Sequence, residues 1–270
     1  VNGTRAPGYG QVDRHYGRRL ATTPPEDDGT VWMVNLMAYK PLAAYADGNP
    51  QGLTGREADD RYAPVDILAE LGAEVVFVGD VEDQLLGDEP RWDRVGVVRY
   101  PTRRSFIEMQ ARPDFRDRHR HKEAGMATTI VMGCQPLDPS VGDGIEQRDW
   151  AEVPHPPSVD DGPVAVLHVN RYHPGGGLDQ MARYQRRAAE VAARHGGRIG
   201  AWFTVEGTIV GDGRAWDEVR FNLFPSKAAF LAVVADPERV DAHRQHRAPA
   251  IADTYTLVLR PTINRLPGAG

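Results

Sequence analysis

Two short apolar runs carry polar side chains where a buried strand would be apolar. "VWMVNLMAYKP" (Val31–Pro41) holds Asn35, and "VAVLHVNRYHP" (Val164–Pro174) holds His168 and Asn170. Strand alternation places Asn35 with Val31, Met33, Met37 and Tyr39 on one face, and Val34 with Leu36 on the other. In the second run His168, Asn170 and Tyr172 share a face opposite Leu167 and Val169. Later runs repeat the contrast. Arg94, Gly96, Val98 and Tyr100 oppose Val95 and Val97; Glu218, Arg220, Asn222 and Phe224 oppose Val219, Phe221 and Leu223. These clean apolar faces, with Val34, Leu36, Leu167 and Val169, are expected to meet helices, while Asn35, His168 and Asn170 face inward between the sheets. With Trp202 from an intervening run, one face of the second half gathers apolar, aromatic and polar side chains. That mixture suits a ligand cavity better than open water. His168 is the candidate general acid or base, because imidazole exchanges protons near neutral pH and Arg220 would tune it. Arg220 suits a carboxylate or enolate oxygen; its alternative is an ion pair with Asp217 or Glu218. Tyr172 completes the catalytic candidates. Asn35, Tyr39, Arg94, Asn170, Trp202, Asn222 and Phe224 are candidate substrate-binding residues, with the asparagines suited to orienting a carbonyl.

Other chemistry is weaker in the sequence. His119 and His121 are two apart and fall on different helical faces, whereas His243 and His246 are three apart and could chelate. No third ligand completes either pair, so no metal and no cofactor is expected. Cys134 is the single cysteine, which excludes an internal disulfide and a thiolate cluster and fits a reducing cytoplasm. "HPGGG" (His173–Gly177) lacks the Lys and Ser/Thr of a phosphate loop and the spacing of a dinucleotide fingerprint, and reads as a loop.

The elements that must position these residues occur twice. "GDEPRWDRVGVVRYPTRRSFIEMQARPDF" (Gly87–Phe115) matches "GDGRAWDEVRFNLFPSKAAFLAVVADPER" (Gly211–Arg239) at constant offset, and His121 pairs with His246. Each copy reads β-α-β-β-α-β. The opening strands are Val31–Tyr39 and Val164–Tyr172. The first helices are expected over Arg56–Leu71 and Gly177–His195, the latter with Met181, Tyr184, Ala188 and Val191 at helical spacing and a glycine stop. Second strands follow at "AEVVFVGDV" and "RIGAWFTVEG". Thr102 and Ser226 are the expected N-caps of the second helices. Terminal strands are expected at Thr128–Gly133 and Asp253–Pro261. The organisation is therefore an N-terminal tail (1–30), a first domain (31–137), a Pro/Asp/Gly-rich linker (138–162) and a second domain (163–263). An insertion at Leu42–Gly55 in the first copy is a candidate lid.

The chain has 270 residues, 41% of them apolar, and a net charge of −6 with mixed signs. No basic excess marks a nucleic-acid surface. No apolar run reaches membrane-spanning length, and Val1–Thr30 has no leader-type apolar segment, so a cytoplasmic location is expected.

The segment from "MVNL" through "GDEPRWDRVGVVRYPTRRSFIEM", "PDF", "HKEA" and "TT" resembles the DUF1330 family of the dimeric α/β-barrel superfamily. The likeness covers Val31–Leu137 well and Val164–Thr262 more loosely, where His168 replaces an Asn and Glu218 replaces an Arg. It implies an α+β fold of two tandem ferredoxin-like domains packed sheet to sheet as a pseudo-dimeric barrel, either monomeric or a homodimer, with a pocket between the sheets. It also implies a small-molecule substrate. The expected function is a cofactor-independent enzyme that acts on an aromatic or polyketide-like metabolite by proton transfer, as an isomerase, cyclase or monooxygenase. The alternatives are a non-catalytic binding protein and a haem or metal enzyme on the same fold.

Overall fold

The computed structural model describes residues 7–48, 51–137 and 146–269. Parts of the expected tail (1–6), insertion (49–50) and linker (138–145) lie outside them. In chain order the elements are β1 (Gln11–Val12), α1 (Arg14–Thr22), β2 (Val31–Tyr39), α2 (Gly55–Tyr62), α3 (Val65–Glu70), β3 (Glu74–Leu86), β4 (Arg94–Tyr100), α4 (Arg103–Ala111), α5 (Pro113–Gly125) and β5 (Met126–Pro136). Then come β6 (Val164–Tyr172), α6 (Gly177–Arg194), β7 (Arg198–Gly211), β8 (Glu218–Phe224), α7 (Lys227–Ala235), α8 (Pro237–Ala242), a π-helical turn (His243–Arg247), α9 (Ala248–Ala250) and β9 (Ile251–Asn264). No helix among the described residues is long and apolar enough to cross a membrane.

The chain forms two compact units. The first comprises Val1–Val78, Glu89–Gln135 and Val205–Ala215; the second comprises Gly79–Asp88, Pro136–Thr204 and Trp216–Gly270. These differ from the contiguous ranges 31–137 and 163–263. The second strands, expected to stop near Val81 and Gly207, run on to Leu86 and Gly211, and their outer halves belong to the other unit.

Local chemistry explains the helix ends. Thr102 Oγ1 accepts from Ser105 N at 3.0 Å and Ser226 Oγ from Ala229 N at 3.1 Å, as expected of N-caps. Thr54 and Glu57 form a capping box at the start of α2. The single helix expected over Arg56–Leu71 is instead two. Pro64 has no N–H to continue the ladder and turns Ala63 out of the helical region (φ −40°, ψ 104°).

In the first unit the strand order is β1-β7-β5-β2-β4-β3, antiparallel where β1 meets β7 and where β2 meets β4 and β5. Val31, Met33 and Tyr100 pack against Ile67 and Leu68 of α3, Phe106 and Met109 of α4 and Phe115 of α5. The described part of the N-terminal tail forms β1 and α1, and α1 buries Tyr16 and Leu20 in the same core. Glu206 of β7 ties this region together. It accepts from Tyr16 Oη at 3.1 Å, Gln135 Nε2 at 2.6 Å and the Arg103 guanidinium. Burial opposes its ionisation, but Arg103 and Gln135 hold its carboxyl below the usual range. Glu206→Ala should therefore cost about 2 kcal/mol, the scale of hydrogen bonds to a charged group, measured by urea unfolding.

In the second unit the order is β3-β9-β6-β8-β7, also antiparallel where pairing is resolved in detail. Val164, Val166, Phe224 and Val258 meet Val191 of α6 and Phe230 and Val233 of α7. Met181, Tyr184 and Ala188 of α6 pack with Tyr172 and Ala250. Gly196 ends the α6 region with a left-handed φ of +76°.

These contacts reverse the expected faces. Val34 and Leu36, expected to meet helices, lie on the opposite face, and the helices pack on the face of Met33 and Asn35. The same holds for Leu167 and Val169 against Val166 and His168. The physical reason is burial of both faces. Met33, Val34, Leu36, Val166, Leu167 and Val169 are all buried, so alternation says which residues share a face but not which face meets the helices.

Candidate functional site

Strand register brings the polar residues of the second unit into rows. Trp202, Arg220, His168 and Thr256 stand side by side across β7, β8, β6 and β9. One row away in one direction lie Asn222, Val166 and Val258; one row away in the other lie Glu218, Asn170 and Thr254. Over this surface is a cavity of about 90 Å³. His168, Arg220, Asn222 and Phe224 form its sheet side, and Tyr184, Gln185 and Ala188 of α6, Val233 of α7 and Arg239 of α8 form its helix side. The pocket thus lies between sheet and helices of one unit, not between two sheets as expected, because the polar face is the helix-facing one.

His168 Nδ1 is 3.1 Å from Thr256 Oγ1. Burial, reinforced by Arg220, Arg247 and Arg239, holds its pKa well below the ordinary histidine value. The imidazole is neutral at pH 7, the form needed to accept a proton. Arg220 is 7% exposed, its Nε has no hydrogen-bond partner, and its guanidinium carbon stands 5.3 Å from the Trp202 ring centroid. The ion pair with Asp217 or Glu218 considered as its alternative does not form. Glu218 accepts from Asn170 Nδ2 at 3.2 Å and Gln185 Nε2 at 3.4 Å, and Asp217 accepts from Tyr172 N at 2.8 Å. Asn170 is fully buried and also accepts from Thr254 Oγ1 at 2.9 Å, so it is a framework residue. Burial, then the Glu218 carboxylate, pushes the Tyr172 phenol up, which leaves it protonated.

The candidate set therefore divides. His168, Arg220, Asn222 and Phe224 line one cavity, with Trp202 stacked beside Arg220 and Asn170 and Tyr172 around Glu218. Asn35, Tyr39 and Arg94 belong to the first unit. There Asn35 Nδ2 donates to Met33 O at 3.0 Å, Tyr39 Oη to Asp59 Oδ2 at 2.7 Å, and Arg94 pairs with Asp60 at 2.7 Å. Sequence reasoning missed Arg239 and Arg247. Arg247 is 3% exposed and lies beside His246, which the repeat had already marked, so its position was available but its burial was not.

The helical histidines are engaged locally. His119 Nε2 lies 2.9 Å from Tyr9 Oη, His121 Nδ1 2.8 Å from Tyr45 Oη and His246 Nδ1 2.9 Å from Gln180 Oε1, while His243 packs edge-on to Tyr184. No group of three His, Cys, Asp or Glu able to hold a metal ion occurs among the described residues. The cavity is far too small for a porphyrin, so its residues do not fit a haem. The described part of the Leu42–Gly55 insertion packs through Ala43 and Tyr45 on Ala58 and Ala124. Trp92 and Trp216 are buried, and Asp93 and Asp217 accept the N–H of Tyr39 at the end of β2 and of Tyr172 at the end of β6 respectively.

No protein-family model and no curated protein matches the chain, so the DUF1330 resemblance gains no support there. Solved structures do match. In fold, the chain is similar to an anthrone oxidase-like protein. The two are 16% identical, with 90% of this chain and 98% of that one covered and a TM-score of 0.53. A protein of unknown function from Rhodopseudomonas palustris is 28% identical, covering 49% of this chain and 99% of its own, with a TM-score of 0.42. A mutant chlorite dismutase from Candidatus Nitrospira defluvii is 11% identical over 90% of this chain and 95% of its own, with a TM-score of 0.49.

Several partly buried histidines also set an acid limit. His119, His121, His168 and His195 are lowered by burial, and His243 is lowered to about 4. Each binds its proton less readily in the folded chain than at the ordinary value near 6.5 that holds when unfolded, so acid favours the unfolded chain. Stability should be level above pH 7 and fall steadily from about pH 6.5 to 4, as followed by thermal melts across that range.

Proposed function

We propose that the chain is a cofactor-independent enzyme that moves a proton on a small organic molecule held in the second-unit cavity. The observation that carries this is His168: a neutral imidazole on the cavity wall, fixed through Nδ1 by Thr256, beside a buried guanidinium that can hold developing oxyanion charge. Proton removal from carbon next to a carbonyl generates an enolate, and Arg220 and Asn222 are placed to receive its oxygen. That step is common to isomerisation and cyclisation of small carbonyl compounds.

Both units carry one strand order, β5-β2-β4-β3 and β9-β6-β8-β7, and their opening strands pair in corresponding registers. This supports reading them as two copies of a ferredoxin-like unit within one pseudo-dimeric chain. The chemistry belongs to the second copy, where His168 stands in place of Asn35.

The test is solvent exchange. The protein is incubated in D2O with a panel of small enolisable ketones, phenols and 2-oxo acids, and deuterium entry at carbon is followed by proton NMR. Exchange in at least one compound, lost in His168→Ala, is the expected result. Saturable binding without exchange in any compound would leave a non-catalytic binding protein.

A further inference from the structure

We infer that the second-unit cavity takes an organic anion, a carboxylate on an apolar body, held by Arg220 and Arg239. This rests on the reading of that cavity as a substrate site and goes further by naming the charge and class of what enters.

The cavity carries uncompensated positive charge. Arg220 and Arg239 line the cavity, and Arg247 is buried close enough to His168 and Arg220 to act on both. Against them stands Glu218, already held by Asn170 and Gln185. The acids on the neighbouring helices are committed elsewhere. Glu238 pairs with Arg187 at 3.1 Å and Arg194 at 3.0 Å, and Asp236 caps α8 and faces Arg194 at 3.8 Å. Among the described residues no carboxylate lies within ion-pair distance of Arg220, Arg239 or Arg247, and Arg220 Nε is left without any acceptor.

Burying a charge without a partner is costly, so a fold that keeps such guanidiniums leaves room for a counter-charge. A carboxylate matches the planar donor fork of arginine and gains charge-assisted hydrogen bonds in a site of low dielectric. The rest of the wall selects the body of the ligand. Phe224, Phe230, Ala188, Ala192 and Val233 are apolar, and the space suits a group about the size of one ring. An inorganic anion would satisfy the arginines but waste this wall. A neutral aromatic would fill the wall but leave the arginines bare.

Isothermal titration of the full chain with benzoate, benzamide and inorganic phosphate separates these cases. Benzoate should bind at one saturable site, and benzamide should bind about thirtyfold more weakly, the worth of roughly 2 kcal/mol. Arg220→Met should lose benzoate by a similar factor, yet the unliganded variant should melt at the same or a higher temperature, because an unpaired buried charge has been removed. A purely structural Arg220 would give a lower melting temperature. Arg239→Gln, at a half-buried position, is the second variant and should also weaken benzoate. Equal binding of benzamide, preference for phosphate, no benzoate binding at millimolar concentration, or full binding by both variants would overturn the inference. His168→Ala should still bind benzoate, so loss of the catalytic reading leaves this result standing, and the reverse also holds.

Discussion

Replacing His168 with alanine should slow deuterium exchange of a turned-over compound by about 10²–10⁴, the usual worth of a positioned general base. The pH profile makes the assignment specific. An exposed histidine would lose base activity as pH falls through about 6.5. His168 is held lower, by burial first and then by Arg220 of β8, Arg247 of the π-helical turn and Arg239 of α8, with neutral Thr256 on its other side. The exchange rate should therefore stay level from pH 8 to below 6.5 and decline only in more acid solution. His168→Gln keeps a hydrogen bond to Thr256 available and should bind ligand normally while remaining inactive. A wild-type rate in either variant, or a midpoint at 6.5 with an uncharged ketone, would remove His168 from the chemistry.

Gly125→Ala should destabilise the first unit by about 3 kcal/mol, at the upper end for an overpacked site. A β-carbon on Gly125 would run into the carbonyl of Gly55 and the side chain of Ala58, and one on Gly55 would strike the carbonyls of Gly125 and Lys40. These obstacles are mostly backbone. They are tied together, since Lys40 N donates to Gly125 O at 2.9 Å and Gly55 N to Lys40 O at 3.0 Å. Neither α2 nor α5 can retreat without breaking that lattice. The second unit supplies the control. There the position corresponding to Gly125 is Ala250, whose carbonyl accepts from His173 N at 2.9 Å, and a β-carbon on Gly177 would sit 2.9 Å from that carbonyl oxygen. Gly177→Ala should cost less than Gly125→Ala when the two are compared by urea unfolding.

Much of the fold was legible because its signals are local. Pro101 and Thr102, or Pro225 and Ser226, mark a helix start from the chemistry of a few adjacent residues. The spacing of Met181, Tyr184, Ala188 and Val191 survives in the structure, the first three packing with Tyr172 and Ala250 and Val191 with Val164 and Phe224. What failed was long-range. Val34 and Leu36 looked like the helix-facing side because they are cleanly apolar, whereas the helices cover the mixed face that holds Asn35 and His168. No local signal encodes which side of a doubly buried strand a helix will cover. The same limit applies to the site. His168, Arg220 and Asn222 could be grouped from alternation on two strands. Arg247 and Arg239 reach that neighbourhood from other elements, and Asn35, Tyr39 and Arg94 resemble members of the group only because the sequence repeats.

The guanidiniums around His168 have a kinetic meaning as well as an electrostatic one. In the empty cavity burial first, and then their charge, keeps the imidazole a weak base at rest. A carboxylate seated between Arg220 and Arg239 cancels part of that charge and raises the basicity of His168 at the moment its substrate arrives. The substrate would arm the base that acts on it. A neutral analogue of identical shape would then suffer twice, in KM because it leaves the arginines unpaired and in kcat because it leaves the base unarmed.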